Sequence, residues 1–254
     1  MVAIRELHAI EEFEQVITLF DDIWHFEPAR RPVSAELMLA LAHAGNYVCG
    51  AFDGDRLVGA SVGFFGAGAA LHSHITGVLR SPGTGLALKL HQRRWALERG
   101  LDRITWTFDP LVRRNAHFNL AKLGARPEEY LPAFYGVMDD GLNQGDEGDR
   151  VLAVWRIGDP RVAELAEGRP VTVRVPPDAV VALADEGGRP VPGRADAATV
   201  LVAVPADIER LRATDPGAAK AWRHAVRETL GDMLAEGRKI TGFHDKSYYV
   251  VESM

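Results

Sequence analysis

The sequence predicts an α/β (α+β) fold, and three observations carry that expectation. Stretches of helical and of alternating apolar periodicity follow one another in the order helix, helix, hairpin, strand, helix, strand, helix. Asp53-Gly54 joins two apolar runs, and this dipeptide supplies the backbone angles that short hairpins need. A third apolar run ends in "RSPGTG", from Arg80 to Gly85, and is followed directly by a helical pattern.

Each element has its own local reason. "AIRELHAIEEFEQVITLFDDIW" begins as a short strand and becomes an amphipathic helix, with Phe13, Val16, Ile17 and Phe20 at helical spacing. "SAELMLALAHAG" carries a serine N-cap and a glycine stop. "NYVCGAFDGDRLVGASVGFFG" is the hairpin, and "ALHSHITGVL" the strand after it. The next helix runs from about Leu86 to Arg99 and is closed by Gly100. "LDRITWTFDP" alternates until Pro110 halts it, and "RRNAHFNLAKLGA" is a shorter helix ending at Gly124. The acidic, glycine-rich stretch Asp139–Arg150 has no periodicity and is expected to be a loop. Beyond it, "VLAVWRI" and "VTVRVP" read as strands, "PADIERLRATD" and "AAKAWRHAVRETLGDMLAEG" as helices, and "KITGFHDKSYYVVE" as a closing strand pair. The Pro-, Gly- and Ala-rich "PPDAVVALADEGGRPVPGRADAAT" predicts surface loops around one short strand.

Composition narrows the function classes. The 254 residues suffice for a full core without staples, and the net charge of −6 without any basic block argues against nucleic acid. Cys49 is the single cysteine, which excludes an internal disulfide and a cysteine-based zinc cluster; its apolar neighbours mark it as a core residue. The N-terminal segment has acidic residues and no signal-like apolar run, and no later segment has the length of a membrane span. A cytoplasmic protein without metal, membrane or nucleic-acid partner is expected, its oligomeric state open, a homodimer included.

Arg80, Gly83 and Gly85 fit the Arg/Gln-x-x-Gly-x-Gly/Ala signature, with Val78 ending the strand before it. Here the chain resembles the GNAT superfamily of acyl-coenzyme A-dependent N-acyltransferases, over roughly the first three-fifths of its length. The resemblance implies a mixed, mostly antiparallel central sheet flanked by helices. It also implies that main-chain N–H groups of Gly83, Thr84, Gly85 and Leu86 hold the coenzyme A pyrophosphate, as a helix N-terminus can. "RRNAHFNLAKLGA" is similar to a second GNAT stretch through Ala116, Lys122, Leu123 and Gly124, and carries a coenzyme A contact to Asn115. Where many members place a tyrosine as acid for the leaving thiolate, this chain has Leu120. The long C-terminal part resembles a two-part subgroup that includes amino-acid N-succinyltransferases. The implied division is residues 1–140 as acyl-coenzyme A-binding core, 141–149 as loop, and 150–254 as an α/β extension completing the sheet or the acceptor site.

Acyl transfer to an amine needs a neutral nucleophile, a polarised thioester carbonyl and a path for the proton. By period-two alternation His72, His74 and Thr76 share a face of their strand, which makes His74 the candidate base, or else a half-buried histidine bonded to backbone. Asp109 ends its strand, either orienting an amine or starting the Asp-Pro turn. Arg113 and Arg114 offer the bidentate fork for a carboxylate, or are solvated surface residues. Tyr135 could replace the missing acid, or be a core tyrosine. The sequence therefore points to an N-acyltransferase that takes acetyl-CoA or another acyl-CoA, succinyl-CoA included, to a small amine or amino acid. The alternatives are an acyl-CoA-sensing module and a protein N-acetyltransferase.

Overall fold

Asp53 pairs with Arg56 across the hairpin turn, so the two central residues are Gly54 and Asp55, and Gly54 takes the positive φ of 60° that a II′ turn needs at its first position. The computed structural model describes residues 2–79, 82–138 and 145–253. It divides into two units, Met1–Trp106 and Thr107–Met254.

The first unit runs β1 (Ala3–Glu6), α1 (Ile10–Trp24), a 3-10 turn at Pro28–Arg30, α2 (Ala35–His43), β2 (Tyr47–Asp53), β3 (Arg56–Gly66), β4 (Ala70–Val78), α3 (Thr84–Glu98) and β5 (Arg103–Phe108), whose last two residues belong to the second unit. The strands lie in sequence order, antiparallel from β1 to β4, with β5 parallel to β4. The stripe on α1 buries Phe13, Val16, Leu19 and Phe20 in a cluster with Met38, Val48 and Val62. Ser34 caps α2 by accepting from the Leu37 N–H. Cys49 is fully buried and its thiol is pushed up to about 12 by burial, which makes it inert packing.

The second unit continues with α4 (Arg113–Ala116), which widens into a π-helical turn at His117–Lys122, then β6 (Arg126–Leu131), the short strands β7 (Val137–Met138) and β8 (Asp146–Glu147), β9 (Arg150–Arg156) and α5 (Pro160–Ala166). There follow β10 (Val180–Glu186), β11 (Arg189–Pro192), β12 (Thr199–Ala203), α6 (Ile208–Thr214), α7 (Pro216–Val226), a π turn at Arg227–Gly231, α8 (Asp232–Ala235), β13 (Lys239–His244) and β14 (Tyr248–Glu252). Strand β6 pairs antiparallel with β9.

Two expectations for this part are corrected. The region read as loops around one short strand holds the hairpin β10–β11 and leads into β12, the middle strand of a five-stranded sheet ordered β11-β10-β12-β14-β13. Strand β12 is buried along most of its length, so it shows a continuous apolar run and no alternation. "VTVRVP" forms no strand. It alternates like one, but Val173 packs where a side chain on Gly242 of β13 would stand, with Val173 Cγ2 2.5 Å from that position, so it meets β13 through a side chain and not through a ladder of backbone hydrogen bonds. Among the described residues no helix is long and apolar enough to cross a membrane.

Candidate functional site

In the first unit, the register between β3 and β4 slips. Val62 faces Ile75 but Gly63 faces Ser73, so His74 is an extra residue and β4 bulges there. A bulge reverses the faces beyond it. His72 and His74 share one side, both within 6 Å of the Phe64 ring, at 5.2 and 5.8 Å between centroids. Thr76 is on the other, bonded to Ser61 Oγ at 2.8 Å, which contradicts the shared face expected from strict alternation. His74 Nε2–H donates to the Pro32 carbonyl at 3.4 Å, so the neutral ring keeps its lone pair on Nδ1. His72 Nδ1 meets Thr105 Oγ1 at 3.1 Å, and burial, with the charges of His74 and Lys89, lowers its pKa.

Strands β4 and β5 pair only over Ala70–His72 and Arg103–Thr105. Just past the last pair, on the α3 side, stands a buried polar cluster. Lys89 Nζ donates to Ser73 Oγ at 2.9 Å and to Gln92 Oε1 at 3.3 Å, and lies 4.1 Å from the Trp106 ring centre. Burial alone pushes Lys89 down to about 7. Among the described residues no carboxylate pairs with it.

Helix α3 starts at Gly83, which takes a left-handed φ of 84° and whose missing side chain leaves open space. Gly83, the N-cap residue, has no side chain with which to cap this end. Among the described residues a Cβ on Gly85 would touch Val78 alone, at 3.9 Å. Thr84 is buried and Leu86 half-buried in the first turn. Arg80, named from the sequence, lies outside the described residues.

In the second unit, Asp109 is buried and accepts from Leu111 N–H, Arg212 Nη2 at 2.6 Å and both terminal nitrogens of Arg223 at 2.9 Å. Four donors occupy its lone pairs, so the carboxylate is spent on holding α6 and α7 and not on an amine. Asp146 bridges the same two arginines. Arg114 gives its fork to Glu209, with both bonds at 2.6 Å, and so already holds a carboxylate of this chain. Arg113 is half-buried; one Nη donates to the Val204 carbonyl at 2.7 Å while its buried Nε has no hydrogen-bond partner among the described residues. Asn115 is exposed, and Leu120 is buried. Tyr135 is about half exposed, packed edge-on to Phe134 and under the Arg150 guanidinium, so it is no core tyrosine.

No protein-family model and no curated protein sequence matches this chain. Solved structures do. A GNAT-family protein from Desulfovibrio desulfuricans superposes with a TM-score of 0.51 at 18% identity, 62% of this chain covering 100% of that one. The ribosomal-protein-S18-alanine N-acetyltransferase of Escherichia coli gives 0.50 at 13% identity, 63% of this chain covering 96% of it.

The chain has the GNAT fold.

The GNAT fold accounts for the order of elements in the first unit and for the parallel β4–β5 pair that ends early. Sequence reasoning missed Lys89, Gln92, Trp106, Arg212 and Arg223. The first two carried a signal: buried positions on α3 are Thr84, Leu88, Lys89, Gln92, Trp95 and Ala96, a helical stripe on which a lysine and a glutamine are misplaced unless used. The two arginines carried none, since each lies more than a hundred residues from Asp109 in sequence, at separations of 103 and 114.

Proposed function

We propose that this protein is an acyl-CoA-dependent N-acyltransferase that acylates the amino group of a small carboxylated metabolite, an amino acid included, with an acetyl or succinyl donor. The observation that carries the reading is the N-terminus of α3 with its left-handed Gly83 at the N-cap, set after β4 of a GNAT fold. N–H groups there and the helix dipole suit a pyrophosphate, and the side-chain-free surface at Gly83 and Gly85 lets it approach. Gly83, Thr84, Gly85 and Leu86 would hold the donor, and Val78, Arg80 and Asn115 are further residues proposed to contact it. The donor supplies an activated thioester, and the chain's part is to orient the amine and take its proton. His74, through Nδ1, is the group proposed to accept that proton.

Arg113 is the arginine proposed for the acceptor carboxylate, because Arg114 is engaged by Glu209. Its unpartnered Nε supports this choice. Residues 1–140 are proposed as the donor-binding core and 150–254 as the extension that walls the acceptor side. Buried Leu120, standing where the family's acid is expected, favours a second reading, a module that binds acyl-CoA without turnover.

A thiol-release screen of acetyl- and succinyl-CoA against amino acids of both hands, each paired with its decarboxylated amine, tests the proposal. Wild type should release thiol and prefer the acid. Arg113→Lys keeps the charge but loses the fork, and should raise the acceptor KM about 10- to 150-fold, the equivalent of roughly 1.5–3 kcal/mol. Equal use of acid and amine by wild type would remove the carboxylate clamp, and donor binding without turnover would favour the sensing module.

A further inference from the structure

We propose that Lys89, at the point where β4 and β5 stop pairing, supplies the proton to the departing thiolate of the acyl donor. The inference rests on the acyltransferase reading above. Its starting point is a cost. A buried ammonium without a carboxylate partner is rare because desolvation is uncompensated, and among the described residues Lys89 has a hydroxyl, an amide oxygen and a ring face around it and no carboxylate. A methionine of similar length would fill the same space without that cost. Packing therefore does not explain a lysine here.

Position and chemistry do. Ser73 and Trp106, which hold the ammonium, are the residues next after the last paired ones on β4 and β5. In a GNAT fold the donor's thioester arm is expected where these strands part. When the amine nitrogen bonds to the acyl carbon, the carbon–sulfur bond breaks with its electron pair on sulfur. The amine loses one proton to the base, sulfur takes one from Lys89 Nζ, and water restores the lysine. A thiol ordinarily titrates near 8.5, above the value of about 7 to which burial brings Lys89, so the transfer to sulfur runs downhill. Leu120, an alkyl side chain, cannot supply this proton. Among the described residues the groups around Lys89 are Ser73 from β4, Trp106 from β5, Gln92 from α3 and, through Gln92, Ser61 from β3, none of which carries a proton that titrates near neutral pH, while His72 is coupled to Lys89 by charge alone, from the opposite face of β4.

The test compares wild type with Lys89→Met in melts, in coenzyme A calorimetry and in turnover against pH. A lysine whose folded pKa is lowered costs stability most below that value, and the cost fades as pH rises toward its unfolded one. Lys89→Met should therefore melt higher than wild type, by a margin that narrows above about pH 7. It should bind coenzyme A normally, with kcat down about 10²- to 10⁴-fold and without the wild type's fall in kcat above pH 7. Lys89→Arg, which cannot release a proton at these pH values, should not rescue turnover. Normal kcat in Lys89→Met, an unchanged alkaline limb, or full rescue by arginine would overturn the proposal while leaving the acyltransferase reading in place. Failure of wild type to bind coenzyme A would overturn both.

Discussion

Gly85→Ala separates donor binding from folding better than any other change in the α3 entry. Gly85 lies in the first turn of the helix with an ordinary φ, and among the described residues an added Cβ would meet Val78 Cγ2 alone, at 3.9 Å, an ordinary van der Waals contact. The fold loses nothing, and replacing glycine in a helix gains up to about 1 kcal/mol. For a chain of this size that gain corresponds to roughly 2–4 °C in Tm. On the binding side, a methyl group now stands where phosphate oxygens are proposed to meet backbone N–H groups. Losing one such charge-assisted bond costs about 1.5–3 kcal/mol, or roughly 10- to 150-fold in Kd. Gly83→Ala makes the contrast. Its φ of 84° costs an alanine roughly 1–2 kcal/mol, so stability and affinity would fall together and the cause would be lost. Calorimetric titration with coenzyme A, paired with thermal melts, reads both quantities for Gly85→Ala. A variant that melts at or above wild type and binds coenzyme A with unchanged Kd would refute the assignment of the pyrophosphate to this helix end.

His74→Ala should lower turnover about 10²- to 10⁴-fold with coenzyme A affinity intact, read by steady-state kinetics across pH; a near-normal rate would return His74 to its contact with Pro32. Asp109→Asn should cost about 3–5 kcal/mol in denaturant melts, because it leaves buried Arg212 and Arg223 short of one counter-charge, and a loss below 1 kcal/mol would show that Asp146 suffices for both. Burial pushes the Asp109 carboxyl up, but Arg223 and Arg212 outweigh it and hold the group well below the usual carboxylate range. Its stabilisation is therefore full above about pH 4, the unfolded value, and is lost as pH falls from there toward the folded one; the acid decline of Tm should be shallower in Asp109→Asn.

The sequence by itself determined the local elements and their order in the first unit. The spacing of Phe13, Val16 and Phe20, the Ser34 cap, the Gly54 turn and the glycine link before α3 are short-range facts, set by backbone sterics and periodicity within a few residues. They carried the GNAT resemblance and, through it, the fold. Only tertiary structure decided which face a residue takes after the bulge at His74, since one extra residue inverts every alternation argument beyond it and moved Thr76 to the α3 side. It decided equally that Asp109 and Arg114 are engaged within the chain, because their partners lie about a hundred residues away and no local pattern announces them. The same holds for β12 and for "VTVRVP": pairing in a sheet depends on a partner strand, and the residues of a segment do not state whether one stands beside it. Lys89 was legible in principle, as a charge on a buried stripe, but its meaning depends on lying where β4 and β5 part, which is a property of two strands and a helix together.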